Sequence, residues 1–260
     1  MKKSTFLYLL VFFCCLGKVF ALSVSSQDAK KIGERIWKNE CAGTIEGLTN
    51  WNKGENFPSL GIGHFIWYPA DKTESFEETF PALLSFLQKE GVTLPSWLKT
   101  TSKCPWNSRE EFYKDIECSE MKSLRQFLFD TRNLQAIFIA NRLEKAIPKM
   151  IKNLPKKEKD KITTAFLRLT KAPNGLYALI DYLNFKGAGT SLHETYNGQG
   201  WGLLQVLERV PSFSQNPVVD FVNAAKGILA QRVKNSPPER DEQRWLKGWF
   251  NRLDTYLYSL

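Results

Sequence analysis

Residues 40–64 constrain the fold more than any other part of the chain. An acid at the end of a predicted helix is followed at once by a stretch with several glycines. The sequence there reads E-C-A-G-T-I-E-G-L-T-N-W-N-K-G-E-N-F-P-S-L-G-I-G-H. Residues 44–52 alternate imperfectly between apolar and polar types, N-K-G-E-N supplies turn chemistry, and residues 57–62 can return as a second strand. The pattern predicts a helix next to a small β-hairpin.

The preceding helix is predicted from its apolar periodicity. Ser25 and Ser26 are natural N-caps, and Gly43 suits a C-terminal cap. One face carries an apolar stripe that ends in Glu40. Because burial and the negative end of the helix dipole both disfavour a charged carboxylate, we expect the pKa of Glu40 to be raised. A raised pKa is what a general acid needs at neutral pH.

The acid-bearing helix, the hairpin and the closing S-L-G-I-G-H at 59–64 resemble the catalytic signature of phage-type lysozymes and endolysins, T-[IVL]-G-x-G-H. Segments 178–189 and 226–233 are similar to later parts of the same family and follow in the same order. The resemblance implies a lysozyme-like fold that cleaves the MurNAc–GlcNAc backbone of peptidoglycan. In that family role, Glu40 protonates the leaving oxygen.

The chain departs from the family pattern at several positions. Ser59 stands where the family has threonine, and Lys53 stands where it has aspartate, with Glu55 as the nearest carboxylate. Glu46 is an alternative to Glu40, but we expect it to lie on a strand and not against a core. Two catalytic routes stay open. Either Glu55 or Glu46 acts with Ser59 to position a water, or the substrate's N-acetyl group assists, as in lytic transglycosylases.

A second polar, glycine-rich stretch reads H-E-T-Y-N-G-Q-G-W-G. Tyr196 or Trp201 is suited to stacking on a sugar ring, and Asn197 to bonding an N-acetyl group. A tight loop anchored by its aromatic residues explains the same pattern equally well. The predicted substrate-binding residues are Glu46, His64, Tyr196, Asn197 and Trp201.

The first 21 residues have the features of a Sec signal peptide, with two lysines, an apolar run and V-F-A before the expected cut. We therefore predict a periplasmic or secreted protein without stable membrane insertion; an uncleaved anchor or a lipoprotein is the alternative. Cleavage would remove three lysines and lower the formal net charge from +9 to +6. That charge suits an anionic partner such as peptidoglycan or a related amino-sugar polymer. Without a basic-aromatic array, nucleic acid is not an expected partner.

Three cysteines follow the leader. We expect Cys104 and Cys118 to form a disulfide bond across a local loop, and Cys41 to be a buried free thiol. Two histidines and scattered acids offer no zinc or calcium spacing, so no metal and no cofactor are predicted.

The remaining sequence is helical in pattern and contains no repeat. The predicted fold class is α+β, a mainly α-helical lysozyme-like domain over residues 22–260 with a small β-hairpin lobe. A helical and loop insertion is expected around 70–130, and the protein is expected to be a monomer. Because fold does not establish activity, a non-catalytic secreted glycan-binding or interaction protein on the same scaffold is the alternative function.

Overall fold

The computed structural model describes residues 22–72, 76–213 and 215–260. The predicted leader, residues 1–21, lies outside this described part. The described residues form ten α-helices: α1 Ser26–Cys41, α2 Phe80–Lys89, α3 Arg109–Lys114, α4 Ser119–Asp130, α5 Arg132–Ile151, α6 Lys156–Lys171, α7 Gly175–Lys186, α8 Leu203–Arg209, α9 Pro217–Asn235 and α10 Gln243–Asp254.

Two small antiparallel sheets accompany the helices. The first has the order β1 (Thr49–Asn50), β2 (Ser59–Leu60), β3 (Phe65–Ile66), and the second pairs β4 (Thr195–Tyr196) with β5 (Gln199–Gly200). The predicted α+β class, mainly helical with a small antiparallel sheet, is confirmed. The hairpin's strands are shorter than predicted, and β3 had not been expected because two residues give no periodic signal.

Helix α1 begins where its sequence indicates, but it ends at Cys41 with Ala42, and not the predicted Gly43, as its C-cap. The Ser25 side chain accepts a hydrogen bond from the Asp28 backbone N–H at 3.0 Å, which satisfies one of the free donors of the first turn. Its apolar face packs against α5. A Cβ on Gly33 would lie 2.8 Å from the Arg132 backbone oxygen, so the two helices approach closely only because residue 33 has no side chain. This packing fixes the C-terminal end of α1, where Glu40 lies.

One continuous hydrophobic cluster runs through the helices and the base of the first sheet, from Ile32 to Tyr256. Its aromatic members include Trp51, Trp67, Tyr177 and Phe221, each almost fully buried. Within the three described ranges, no helix has the length and apolarity needed to span a bilayer.

Two local predictions are wrong. Glu46 does not lie on a strand but opens a short 3-10 turn, Glu46–Leu48, and is exposed. Cys104 and Cys118 form no disulfide bond. The Cys104 thiol instead donates to the Trp106 backbone oxygen at 3.5 Å, and the Cys118 sulfur caps α4 by accepting from the Met121 backbone N–H at 3.4 Å. Each sulfur therefore has its own local partner.

The turn after β2 is held to α5 by one buried side chain, Gln135. Its amide oxygen accepts a hydrogen bond from the Ile62 backbone N–H at 3.0 Å. Its amide nitrogen donates to the Leu128 backbone oxygen at 2.7 Å and to the Thr131 hydroxyl at 2.9 Å. Gln135 is fully buried, so water cannot replace these contacts. The S-L-G-I-G-H turn thus depends on α5 for its position.

We expect Gln135→Leu to destabilise the fold by about 1–3 kcal/mol, because it leaves buried backbone groups without partners. Urea unfolding followed by circular dichroism measures the change. Gln126→Leu, on the exposed face of α4, is the matched control and should change stability little. Equal stabilities of the two variants would contradict the clamping role of Gln135.

Candidate active site

A cleft of about 830 Å³ opens between the first sheet, helices α5 and α7, and the β4–β5 hairpin. His64 follows β2, Asn184 and Lys186 lie at the end of α7, and Tyr196 comes from β4. Cationic and aromatic side chains contribute much of its wall.

Glu40 lies directly behind His64 and Asn184, with its side chain only 11% exposed. Its Oε1 atom accepts hydrogen bonds from Arg252 Nη2 at 2.6 Å and from Asn184 Nδ2 at 3.1 Å. Its Oε2 atom lies 3.8 Å from His64 Nδ1 and accepts no hydrogen bond from the described residues. One oxygen is therefore fixed by the protein, while the other faces the histidine that lines the cleft.

Arg252 on α10 is shared between Glu40 and Asp181 on α7. Its Nε and Nη2 atoms donate to the two Asp181 carboxylate oxygens at 2.8 and 2.9 Å. The Tyr256 hydroxyl donates to Asp181 at 2.6 Å, and Asn39 Nδ2 makes a longer contact at 3.4 Å. Asp181 is completely buried, which is tolerable for a carboxylate only with this many donors.

These contacts reverse the expected electrostatics of Glu40. Burial raises the pKa of Glu40, but the charges of Arg252 and His64 and the hydrogen bonds from Arg252 and Asn184 outweigh burial and lower it to about 2. The prediction of a raised pKa is therefore wrong. It considered burial and the helix dipole but not an arginine from the other end of the chain.

His64 is held in an unusual backbone conformation. Its φ is 47°, in the left-handed region that non-glycine residues seldom occupy. It follows the turn that Gln135 clamps to α5, so the surrounding contacts maintain the conformation. The result is that the imidazole is placed between Glu40 and the cleft.

The hairpin β4–β5 brings two of the predicted sugar-binding aromatics to the cleft. The Tyr196 and Trp201 ring centroids lie 4.7 Å apart, and both residues line the cleft wall. One face of Trp201 is covered by the Arg232 guanidinium, 4.0 Å from the ring centroid. Asn197 is exposed at the tip of the hairpin and does not line the cleft.

Three other predicted site residues lie away from the cleft. Glu55 lines a separate cavity together with Trp51 and Arg109. Ser59 is buried in β2, and Glu46 is exposed on its 3-10 turn. The structure therefore brings together Glu40, His64, Tyr196 and Trp201 of the predicted set, but not the proposed water-positioning residues.

Sequence reasoning missed Asp181, Arg252, Asn184 and Lys186. One signal was available, since Asp181 is the only acid in the apolar run A-L-I-D-Y-L of α7. A charge inside a fully apolar helix segment requires a buried partner. No local signal identified Arg252 as that partner, because it lies 71 residues further along the chain.

Glu40, Arg252 and Asp181 together carry one net negative charge when both acids are ionised. Protonation of Glu40 would leave the Arg252–Asp181 pair neutral, with its two hydrogen bonds intact. Glu40 is also the acid of this group whose second oxygen faces His64 and the cleft. Acid–base chemistry at Glu40 Oε2 is what the arrangement can support.

Comparison with known proteins adds no assignment: no family model matches the chain, and no curated protein or solved structure matches it either.

The lowered pKa of Glu40 predicts a specific pH dependence of stability. Because the folded-state pKa of about 2 lies below the ordinary 4.5, the stabilisation is fully present above pH 4.5 and is lost as the pH falls towards 2. The shift corresponds to about 3 kcal/mol. We expect Glu40→Gln to be less stable than wild type by up to this amount at pH 6, with the difference shrinking on acidification. Urea unfolding at pH 6, 4 and 3 measures it.

Glu34→Gln is the control for this measurement, because Glu34 lies on the same helix but is a partly exposed partner of Lys38 and Arg132. Its effect on stability should be small at every pH. A constant difference between wild type and Glu40→Gln from pH 6 to pH 3 would contradict the lowered pKa.

Proposed function

We propose that this chain cleaves the glycan strand of peptidoglycan, with Glu40 as the residue that transfers a proton to the leaving oxygen. The observation that carries the proposal is the position of Glu40. Its Oε2 faces a large cleft through His64, and its Oε1 is held by Arg252 and Asn184. Cleavage of a glycosidic bond needs a positioned carboxyl group of this kind. We further propose that the protein acts after export, outside the cytoplasm.

Glu40 is ionised in the free protein, so the proposal requires a proton to be gained when substrate binds. Burial favours the protonated carboxyl but is outweighed in the free protein, where the pKa of Glu40 is lowered to about 2. A glycan lying across His64 and Asn184 would remove the remaining water and raise this pKa. Arg252 opposes this step, because its charge is the largest of the effects that lower the pKa of Glu40. Its two hydrogen bonds to Asp181 would remain when Glu40 is protonated.

A non-catalytic glycan-binding protein is the second candidate function. The observation in its favour is the same lowered pKa, since a carboxylate fixed in its ionised form binds hydroxyl and amide groups but donates no proton. The aromatic pair Tyr196 and Trp201 suits sugar binding under either proposal.

Glu40→Gln should abolish release of muropeptides from purified sacculi, with a loss of about 10²–10⁴-fold, because the substitution keeps the shape but removes the transferable proton. Mass spectrometry of the released products measures the rate. Near-ultraviolet circular dichroism at the assay pH verifies that the variant is folded, since some loss of stability is expected.

Glu46→Gln is the matched control, being an exposed glutamate outside the cleft, and should retain full activity. If Glu40→Gln is active and Glu46→Gln is inactive, the acid has been wrongly chosen. If wild-type protein binds sacculi but releases nothing, the glycan-binding function replaces the enzymatic one.

Glu55→Gln should also leave activity unchanged, because Glu55 lines a different cavity. Neither Glu55 nor Glu46 lines the cleft, although Glu77 and Glu194 do, so neither of the two carboxylates predicted from the sequence supplies a base there. The alternative is the route in which the substrate's N-acetyl group assists. That route leaves 1,6-anhydro ends on the products, which mass spectrometry separates from the reducing ends of hydrolysis. Reducing ends together with an inactive Glu55→Gln would instead establish Glu55 as a water-activating base.

A further inference from the structure

Cations and aromatic rings alternate in a row of which Trp201, Arg232, Lys186 and Phe185 line the cleft. We call this arrangement the cation–aromatic row. Its members, in spatial order, are Trp201, Arg232, Trp249, Lys186, Phe185 and Arg252. The row connects the β4–β5 hairpin at one end with Glu40 at the other.

Each terminal cation of the row has its own carboxylate. Arg232 donates two hydrogen bonds of 2.7 Å to Glu242. Arg252 donates to Asp181 and to Glu40. Both guanidinium groups are therefore neutralised by acids of the protein.

The central cation, Lys186, has no such partner. Its ammonium nitrogen lies 3.7 Å from the Trp249 ring centroid and 4.0 Å from that of Phe185. Among the described residues, no carboxylate forms an ion pair with it. Lys186 also lines the cleft. The two aromatic rings cover one side of the Lys186 ammonium group. An anion can therefore approach it from the cleft.

We propose that Lys186 is the binding site for a carboxylate carried by the substrate. Because this inference rests on the proposed function, the group meant is a carboxylate of the peptide attached to the muramic acid residue of the glycan. The carboxylate would take the position in the row that Glu242 and Asp181 take beside the two arginines. The protein would then bind the peptide substituent of the substrate as well as its sugar chain.

The surroundings of Lys186 make its charge responsive to such a ligand. Burial, followed by the nearby charges of Arg232 and Arg252, lowers the pKa of Lys186 to about 6, against the opposing effects of Glu242 and Glu40. In the free protein the amine is therefore largely neutral at pH 7.5. A bound carboxylate favours the ammonium form, so binding takes up a proton and weakens as the pH rises above 6.

The test is binding of muramyl dipeptide, which has one free carboxylate and no glycosidic bond to cleave, measured by calorimetry at pH 5.5 and 7.5. We expect wild type to bind on the order of tenfold more tightly at pH 5.5, since each pH unit above the pKa removes up to nine tenths of the protonated amine. The uncharged amide of muramyl dipeptide should bind more weakly and without this pH dependence.

Variants separate a binding role from a structural one. Lys186→Met should lose both the preference for the acid over the amide and the pH dependence. Lys186→Arg should keep the preference but lose the pH dependence, because arginine stays charged. Lys89→Met, at an exposed position of α2, should behave as wild type. All three variants retain the other titratable and charged groups of the cleft wall, which are His64, Glu77, Arg142, His193, Glu194, Tyr196, Arg232 and Arg240.

Equal binding of the acid and the amide by wild-type protein would overturn the inference, even if Lys186→Met fails to fold. So would a full pH dependence in Lys186→Arg. If inorganic phosphate binds at Lys186 and muramyl dipeptide does not, the carboxylate assignment is wrong. If binding depends on Lys186 but no muropeptides are released from sacculi, the proposed cleavage is refuted and the Lys186 site is supported. If muropeptides are released but Lys186→Met binds muramyl dipeptide as wild type does, the cleavage is supported and the Lys186 site is refuted.

Discussion

The buried charge of Asp181 is the constraint on which the site depends. A carboxylate in the interior of α7 must be met by donors, and Arg252, Tyr256 and Asn39 supply them from three other parts of the chain. Once Arg252 is bound to Asp181, its remaining N–H can reach Glu40. The orientation of Glu40 towards the cleft is thus a consequence of the contact between Arg252 and the buried carboxylate of Asp181.

The same contacts distinguish the two arginines of the row, which have carboxylate partners, from Lys186 between them. Arg252 and Arg232 have carboxylate partners, so their positions are set before any ligand arrives. Lys186 lies between them against two aromatic rings, and no carboxylate of the described residues pairs with it. Glu40 Oε2 likewise accepts no hydrogen bond from the part of the chain that the structure describes.

Local sequence pattern predicted the parts of the structure that local physics determines. The cap at Ser25, the apolar face of α1 and the pairing of β1 with β2 follow from periodicity and turn chemistry over short windows. The pKa of Glu40 was predicted with the wrong sign, because its dominant partner comes from the far end of the chain. Glu55 was misplaced for a related reason, since its distance in sequence from Glu40 does not reveal which cavity it lines.

The separation of Glu40 from Arg252 also has a consequence for how the protein is made. The two residues are 212 positions apart, so translation at about 5–20 residues per second leaves an interval of roughly 10–40 s between them. Asp181 likewise has no Arg252 to pair with until α10 has been synthesised. The nascent chain therefore cannot form the contacts among Glu40, Arg252 and Asp181 until α10 has left the ribosome.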